Sequence, residues 1–137
     1  MAKYNFLQQI NIELFANNNG SLMVCQDKFL SEFKFSRLYS ISDVPHGENR
    51  GLHAHKTLDQ IFFALSGNFV LKATDGVLSD EIKLAKGSNG VYMPHGLWRE
   101  LSDFSEDAIC LVLASDVYNE SDYIRSFEEF LNWRKGQ

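Results

Sequence analysis

Between Gly47 and Gly67 the chain reads GENRGLHAHKTLDQIFFALSG, and this stretch restricts the fold more than any other. His53 and His55 are one residue apart. In extended backbone both side chains therefore leave one face, while Leu52 and Ala54 leave the other. Just beyond them, Ile61 to Leu65 and Phe69 to Ala73 are short apolar runs on either side of Ser66-Gly67-Asn68, a hairpin signal. Short strands joined by tight turns, with no helical period between them, predict an antiparallel all-β domain. The same punctuation runs to about Ser115. Leu22 to Cys25 follow an Asn17-Asn18-Asn19-Gly20 turn, and Phe33, Phe35, Arg37, Tyr39 and Ile41 alternate as one face of a strand. Asp75-Gly76 marks a further turn, and Ala108 to Ala114 read as a fully buried strand. After Ser115 the period changes. Tyr123, Ile124, Phe127, Phe130 and Leu131 recur at helical spacing behind Asn119 or Ser121 as capping residues, which predicts a helix over 119–134. With 137 residues and no linker or repeat, one domain over 1–137 is expected.

The spacing Gly47-x5-His53-x-His55-x4-Gln60-x6-Gly67 resembles the first cupin motif, G-x5-H-x-H-x4-E-x6-G. Pro94-His95-Gly96-Leu97-Trp98-Arg99 likewise resembles the second, which ends P-x-G-x-x-H. The resemblance implies a cupin jelly-roll barrel, here with a C-terminal α-helix. Two of the four metal-ligand positions have changed. Gln60 stands for Glu, and Arg99 stands for His. A guanidinium stays protonated and has no lone pair for a cation. The residues therefore predict no metal and no cofactor, and a pocket suited to an organic anion and two free imidazoles.

A net charge of −5 argues against nucleic acid as a partner, since that function needs a basic surface. No apolar run reaches membrane-spanning length, and the first residues lack a secretory apolar core, so no membrane partner and a cytoplasmic location are expected. Cys25 and Cys110 lie in apolar strand-like runs and read as free buried thiols.

An H-x-H pair inside the matching motif is expected to line one cavity. The competing reading is a zinc site in which Asp59 or Glu100 joins the two histidines. Arg37, Arg50, Lys56 and Arg99 form a candidate anion clamp. Arg37 shares a strand face with Tyr39, and a buried guanidinium needs a partner that a diphosphate would supply. Trp98 and Tyr92 flank the second motif and are candidates either for stacking on a base or sugar or for core packing. His95 falls in a turn and is expected to be exposed. The stripe of Phe127 and Phe130 suits helix-to-barrel or subunit packing.

Arg50-Gly51-Leu52-His53-Ala54-His55-Lys56 and Gln60, with the later Ala114-Ser115-Asp116-Val117-Tyr118 and Asp122-Tyr123-Ile124-Arg125, resemble the dTDP-sugar 3,4-ketoisomerases. The likeness runs from about Gly20 to Phe130. It implies an isomerase that moves the ketone of dTDP-4-keto-6-deoxy-D-glucose from C4 to C3 through an enediol, in the biosynthesis of a 3-amino-3,6-dideoxy sugar for a lipopolysaccharide O-antigen. By the resemblance His53 is the base and His55 its partner; chemistry alone does not rank them. Tyr39 and Gln60 would bind the sugar, with Arg37, Arg50, Lys56, Trp98 and Arg99 completing the substrate site. The resemblance also implies a homodimer in which residues 1–20 are exchanged between subunits. Asn19, Ser40 and Arg99 depart from residues found in relatives, at positions expected near the sugar. The same residues would also serve a non-catalytic nucleotide-sugar-binding cupin. A metal-dependent cupin enzyme is disfavoured by Gln60 and Arg99.

Overall fold

The computed structural model describes residues 3–137. Its strands are β1 (Gln8–Ile10), β2 (Glu13–Asn17), β3 (Gly20–Val24), β4 (Arg37–Ser42), β5 (Arg50–His55), β6 (Gln60–Ser66), β7 (Asn68–Thr74), β8 (Ser79–Ala85), β9 (Gly90–Met93), β10 (Trp98–Ser102), β11 (Ile109–Ala114) and β12 (Tyr123–Ile124). Helix α1 (Lys28–Glu32) precedes β4, and α2 (Phe127–Lys135) ends the chain. Two five-stranded sheets, ordered β1-β9-β6-β11-β4 and β12-β5-β10-β7-β8, form the barrel, with β2 and β3 as a separate ribbon. Every pairing is antiparallel. The expected all-β cupin barrel is the fold observed. None of the described helices is long and apolar enough to cross a membrane.

The apolar runs read on either side of Gly67 and over 108–114, joined by residues of β9 and β10, build the core. Phe62, Phe69, Leu71, Val91, Leu101, Cys110 and Val112 fill the space between the sheets. The turn at Gly67 holds β6 against β7 with φ +62°, and a Cβ there would meet Ser105 Oγ at 2.2 Å and the Ala108 Cα at 2.8 Å. Each sheet also has a covered outer face. Helix α1 brings Phe29 and Leu30 against Ile10, Ile61 and Phe63 on one side, and α2 lays Phe130 over Ala54 and Ile124 on the other. At the N-terminus, Asp80 accepts hydrogen bonds from the backbone N–H groups of Asn5, Phe6 and Leu7 at 2.7–2.9 Å, which ties the segment before β1 to the start of β8.

Two expectations need correction. The alternating face does not extend back through Phe33 and Phe35; Phe33 caps α1, and the strand starts at Arg37. From there Arg37, Tyr39 and Ile41 do share the more buried face. The C-terminal helix starts at Phe127, not near 119. Asn119 caps only a single turn of 3-10 helix over 120–122, and Tyr123–Ile124 pair with His55 and Ala54 on β5. The spacing misleads because Ile124, from a strand, and Phe130, from the helix, enter the same apolar layer. Ser126 is the true cap, its hydroxyl accepting from Glu129 N, with Glu128 and Glu129 in the first turn and Arg134 and Lys135 in the last, in keeping with the helix dipole.

Candidate active site

Strand β5 turns His53 and His55 into the barrel, both buried, and sets their Nε2 atoms 3.1 Å apart. The rings meet edge to face with centroids 4.8 Å apart. Tyr123, opposite His55 in the β12–β5 register, packs against both imidazoles at centroid distances of 4.9 and 4.4 Å. The other ring nitrogen of His55, Nδ1, lies 3.0 Å from Asp122 Oδ2. The second oxygen of Asp122 accepts from Thr57 N at 2.7 Å and from Thr57 Oγ1 at 2.8 Å. Burial works to raise the Asp122 pKa, but the bonds from Thr57 and His55 together outweigh it and hold this carboxyl below its ordinary range.

The imidazoles themselves are kept neutral. Burial, then the Arg99 charge and neighbouring His55 and Arg125, push His53 down to about 2. For His55 burial and Arg99 lower the value to about 4 against the opposing pull of Asp122. A general base must be unprotonated to accept, and both rings meet that condition at neutral pH.

Across the barrel, Arg99 on β10 is 2% exposed and donates from Nη1 to Gln60 Oε1. Gln60 in turn donates from Nε2 to the Tyr39 hydroxyl at 2.8 Å. The Arg99 guanidinium stands over the Phe62 ring, its Nε has no partner, and no carboxylate among the described residues pairs with it. Arg37 is in a similar condition, its Nε buried without a partner and its guanidinium over Tyr39 and Tyr118. A buried cation with no counter-charge is costly. Arg99 is such a cation, and the half-buried Arg37 adds a second guanidinium, unpaired among the described residues, beside the same opening, which describes a place for an anion. The opening is a cleft of about 400 Å³ bounded by Arg37, Tyr39, Arg50, His53, Arg99 and Arg125, a volume suited to a small organic ligand.

The structure thus brings together six of the sequence-predicted residues, Arg37, Tyr39, Arg50, His53, Gln60 and Arg99, with His55 directly behind His53. It does not bring Lys56 or Trp98 there. Parity explains both. His53 and His55 face inward, so Lys56 faces solvent; Arg99 faces inward, so Trp98 turns outward against Phe127 and Phe130 of α2. Tyr92 likewise packs outside the barrel, on Phe29 and Phe33. Asp122, Tyr123 and Arg125 belong to the site and were missed as site residues. Their signal was the Asp122-Tyr123-Ile124-Arg125 motif, which the helical spacing disguised.

The donor set does not suit a cupin metal. At the two ligand positions other than the histidines, Gln60 is held by Arg99 and Tyr39, and Arg99 carries a fixed positive charge with no lone pair to offer. Asp59, the alternative zinc ligand, is turned to His95, accepting from its backbone N–H at 2.9 Å with ring Nδ1 at 2.8 Å, and Glu100 is engaged by Asn49. His95 is exposed, as expected.

Fold and site define a class: a cupin barrel in which paired imidazoles stand beside uncompensated guanidinium groups. A family model described as FdtA: WxcM-like, C-terminal, matches residues 5–135. A curated protein of Aneurinibacillus thermoaerophilus, TDP-4-oxo-6-deoxy-alpha-D-glucose-3,4-oxoisomerase, is 38% identical over 121 residues, 88% of this chain and 87% of the relative. Among solved structures, QdtA from Thermoanaerobacterium thermosaccharolyticum, a sugar 3,4-ketoisomerase in complex with TDP, matches with a TM-score of 0.86 at 32% identity over 96% of each chain. A 3,4-ketoisomerase from Helicobacter canadensis matches with a TM-score of 0.84 at 35% identity, over 94% of this chain and 97% of that one. The chain belongs to this FdtA-type family, the dTDP-sugar 3,4-ketoisomerases.

Proposed function

We propose that the protein isomerises dTDP-4-keto-6-deoxy-D-glucose, moving the ketone from C4 to C3 through an enediol by histidine-mediated proton transfer. The observation that carries the reading is the neutral, buried His53–His55 pair opening on a cleft whose Arg99 and Arg37 lack counter-charges. The C3 proton is acidified by the neighbouring carbonyl, and His53 takes it. The electron pair left behind forms the C3–C4 double bond and places negative charge on O4, which Arg99 stabilises. The O3 proton passes to O4, C4 receives a proton from the imidazole, and C3 becomes the ketone. Arg37 and Arg50 line the opening, which supports their holding the diphosphate. The reaction serves assembly of a 3-amino-3,6-dideoxy sugar, since an amine is installed where a ketone stands. The relatives named for the same conversion support this reading.

The protein works as a homodimer in which the exchanged part of the N-terminal segment is the β2–β3 ribbon, since residues 5–10 are held by Asp80 and β9 of their own chain. The β2–β3 ribbon supports this: it stands outside both sheets, with Phe15 55% and Leu22 60% exposed. Both cysteines are free thiols, in keeping with the cytoplasm.

Proton NMR of dTDP-4-keto-6-deoxyglucose in heavy water tests the reaction. Wild type should place deuterium at C3 and C4, and His53→Asn should slow this by roughly 10²–10⁴-fold with nucleotide-sugar affinity retained. Exchange near the wild-type rate in His53→Asn would remove His53 as the base. Exchange near that rate in the double His53→Asn, His55→Asn variant would defeat the histidine mechanism.

A further inference from the structure

We propose that Asp122 is a positioning residue that decides, through His55, which nitrogen of His53 receives the substrate proton. The inference rests on the isomerase reading above and deepens it. Asp122 is a carboxylate, so the nitrogen of His55 facing it across 3.0 Å must carry the hydrogen. A neutral His55 protonated at Nδ1 has its lone pair on Nε2. The 3.1 Å contact between the two Nε2 atoms needs one hydrogen between them, and His55 cannot supply it. His53 therefore donates from Nε2, which leaves its own lone pair on Nδ1. That nitrogen makes no hydrogen bond to any described residue and is not occluded from the surface, while His53 itself lines the cleft. The base offered to the sugar is Nδ1 of His53.

The arrangement also answers a chemical difficulty. An imidazole buried beside Arg99 is a poor base if it must hold the positive charge itself. In the relay it need not. As the C3–H bond breaks and its proton binds His53 Nδ1, the hydrogen on His53 Nε2 passes to His55 Nε2. His53 stays neutral, and the imidazolium forms on His55 beside the Asp122 carboxylate. When C4 is protonated from His53 Nδ1, the hydrogen returns from His55 Nε2 to His53 Nε2. Protons balance at every stage, and no co-reactant is needed.

Thr57 makes the test specific. Its N–H and hydroxyl both donate to Asp122 Oδ1, so in Asp122→Asn the amide oxygen keeps that place and the NH₂ faces His55 Nδ1. His55 must then accept at Nδ1 and donate from Nε2, and His53 must carry its hydrogen on Nδ1. Both rings stay neutral and bonded, but no lone pair meets the sugar. The expected result is a kcat lower by roughly 10²–10⁴-fold with KM changed less than about threefold. Nitrogen–proton correlation spectra of the unliganded, ¹⁵N-histidine-labelled protein should show His55 protonated at Nδ1 and His53 at Nε2 in wild type, and the reverse in Asp122→Asn. A wild-type His53 protonated at Nδ1 overturns the proposal without any variant. So does Asp122→Asn with tautomers or kcat unchanged. Because the spectra need no substrate, they separate the two ideas: wild type inactive on the keto sugar defeats the proposed reaction and leaves the tautomer assignment to be read directly.

Discussion

Gln60 accepts from Arg99 with its amide oxygen while donating from its amide nitrogen to the Tyr39 hydroxyl, so one neutral side chain spans the barrel between a buried cation and a phenol. Gln60→Glu would place a carboxylate against Arg99. Tyr39 can reverse and donate, so the contact survives and an uncompensated charge gains its partner. The expected outcome is a higher Tm with a lower kcat, since the guanidinium meant for the enediolate is now neutralised. Calorimetry and the deuterium assay read the two changes, and a variant that is both less stable and fully active contradicts the assignment of Arg99.

Acid should destabilise the protein through its histidines. Above the ordinary imidazole value near 6.5, His53 and His55 are neutral in both folded and unfolded chains and cost nothing. As pH falls through that value the unfolded chain takes up protons that the folded one, with values of about 2 and about 4, refuses. Stability is therefore lost as pH falls, by up to about 1.4 kcal/mol per pH unit for each ring. Thermal melts between about pH 6.5 and pH 4 should show this slope, and it should flatten in the His53→Asn, His55→Asn variant. A melt that is flat in wild type removes the buried neutral pair.

Gly67→Ala tests the barrel turn. The added methyl would meet Ser105 and the Ala108 backbone in a conformation already unfavourable for a side chain. A loss of about 2–4 kcal/mol is expected in denaturant titration, with kcat retained well below the lowered Tm. A change under about 0.5 kcal/mol would show that the turn can relax.

Lys56→Ala and Trp98→Leu should leave KM for the nucleotide sugar within about twofold, because both side chains point away from the cleft. Trp98→Leu should still lower Tm through lost packing on Phe127 and Phe130. A tenfold or larger rise in KM in either variant, worth about 1.4 kcal/mol, would return that residue to the substrate site.

The barrel was readable because short apolar runs, β6 continuous and β7 alternating, are joined by a Gly turn. Period two put His53 and His55 on one face, and the cupin resemblance supplied the inward direction. The outward places of Lys56 and Trp98 follow from the same period, had the parity set by His55 and Arg99 been carried one residue further. Other features had no local signature. Asp122 lies 67 positions from His55, and only the pairing of a two-residue strand with β5 joins them. The helix start was obscured because amphipathic spacing cannot distinguish one continuous helix from a strand followed by a helix when both feed one apolar layer.

Asp80 holds the backbone of residues 5–7 from more than seventy positions downstream, and β1 finds its neighbour only at Gly90–Tyr92. On the ribosome the first strand therefore emerges long before anything exists for it to join. It must wait, unpaired and partly apolar, through synthesis of most of the chain, which makes folding slow and late. During that interval a neighbouring copy offers the same Gly90–Tyr92 edge if its own β1 has not yet docked there. The timing of translation thus gives the N-terminal segment an opportunity to settle on another molecule before its own is ready.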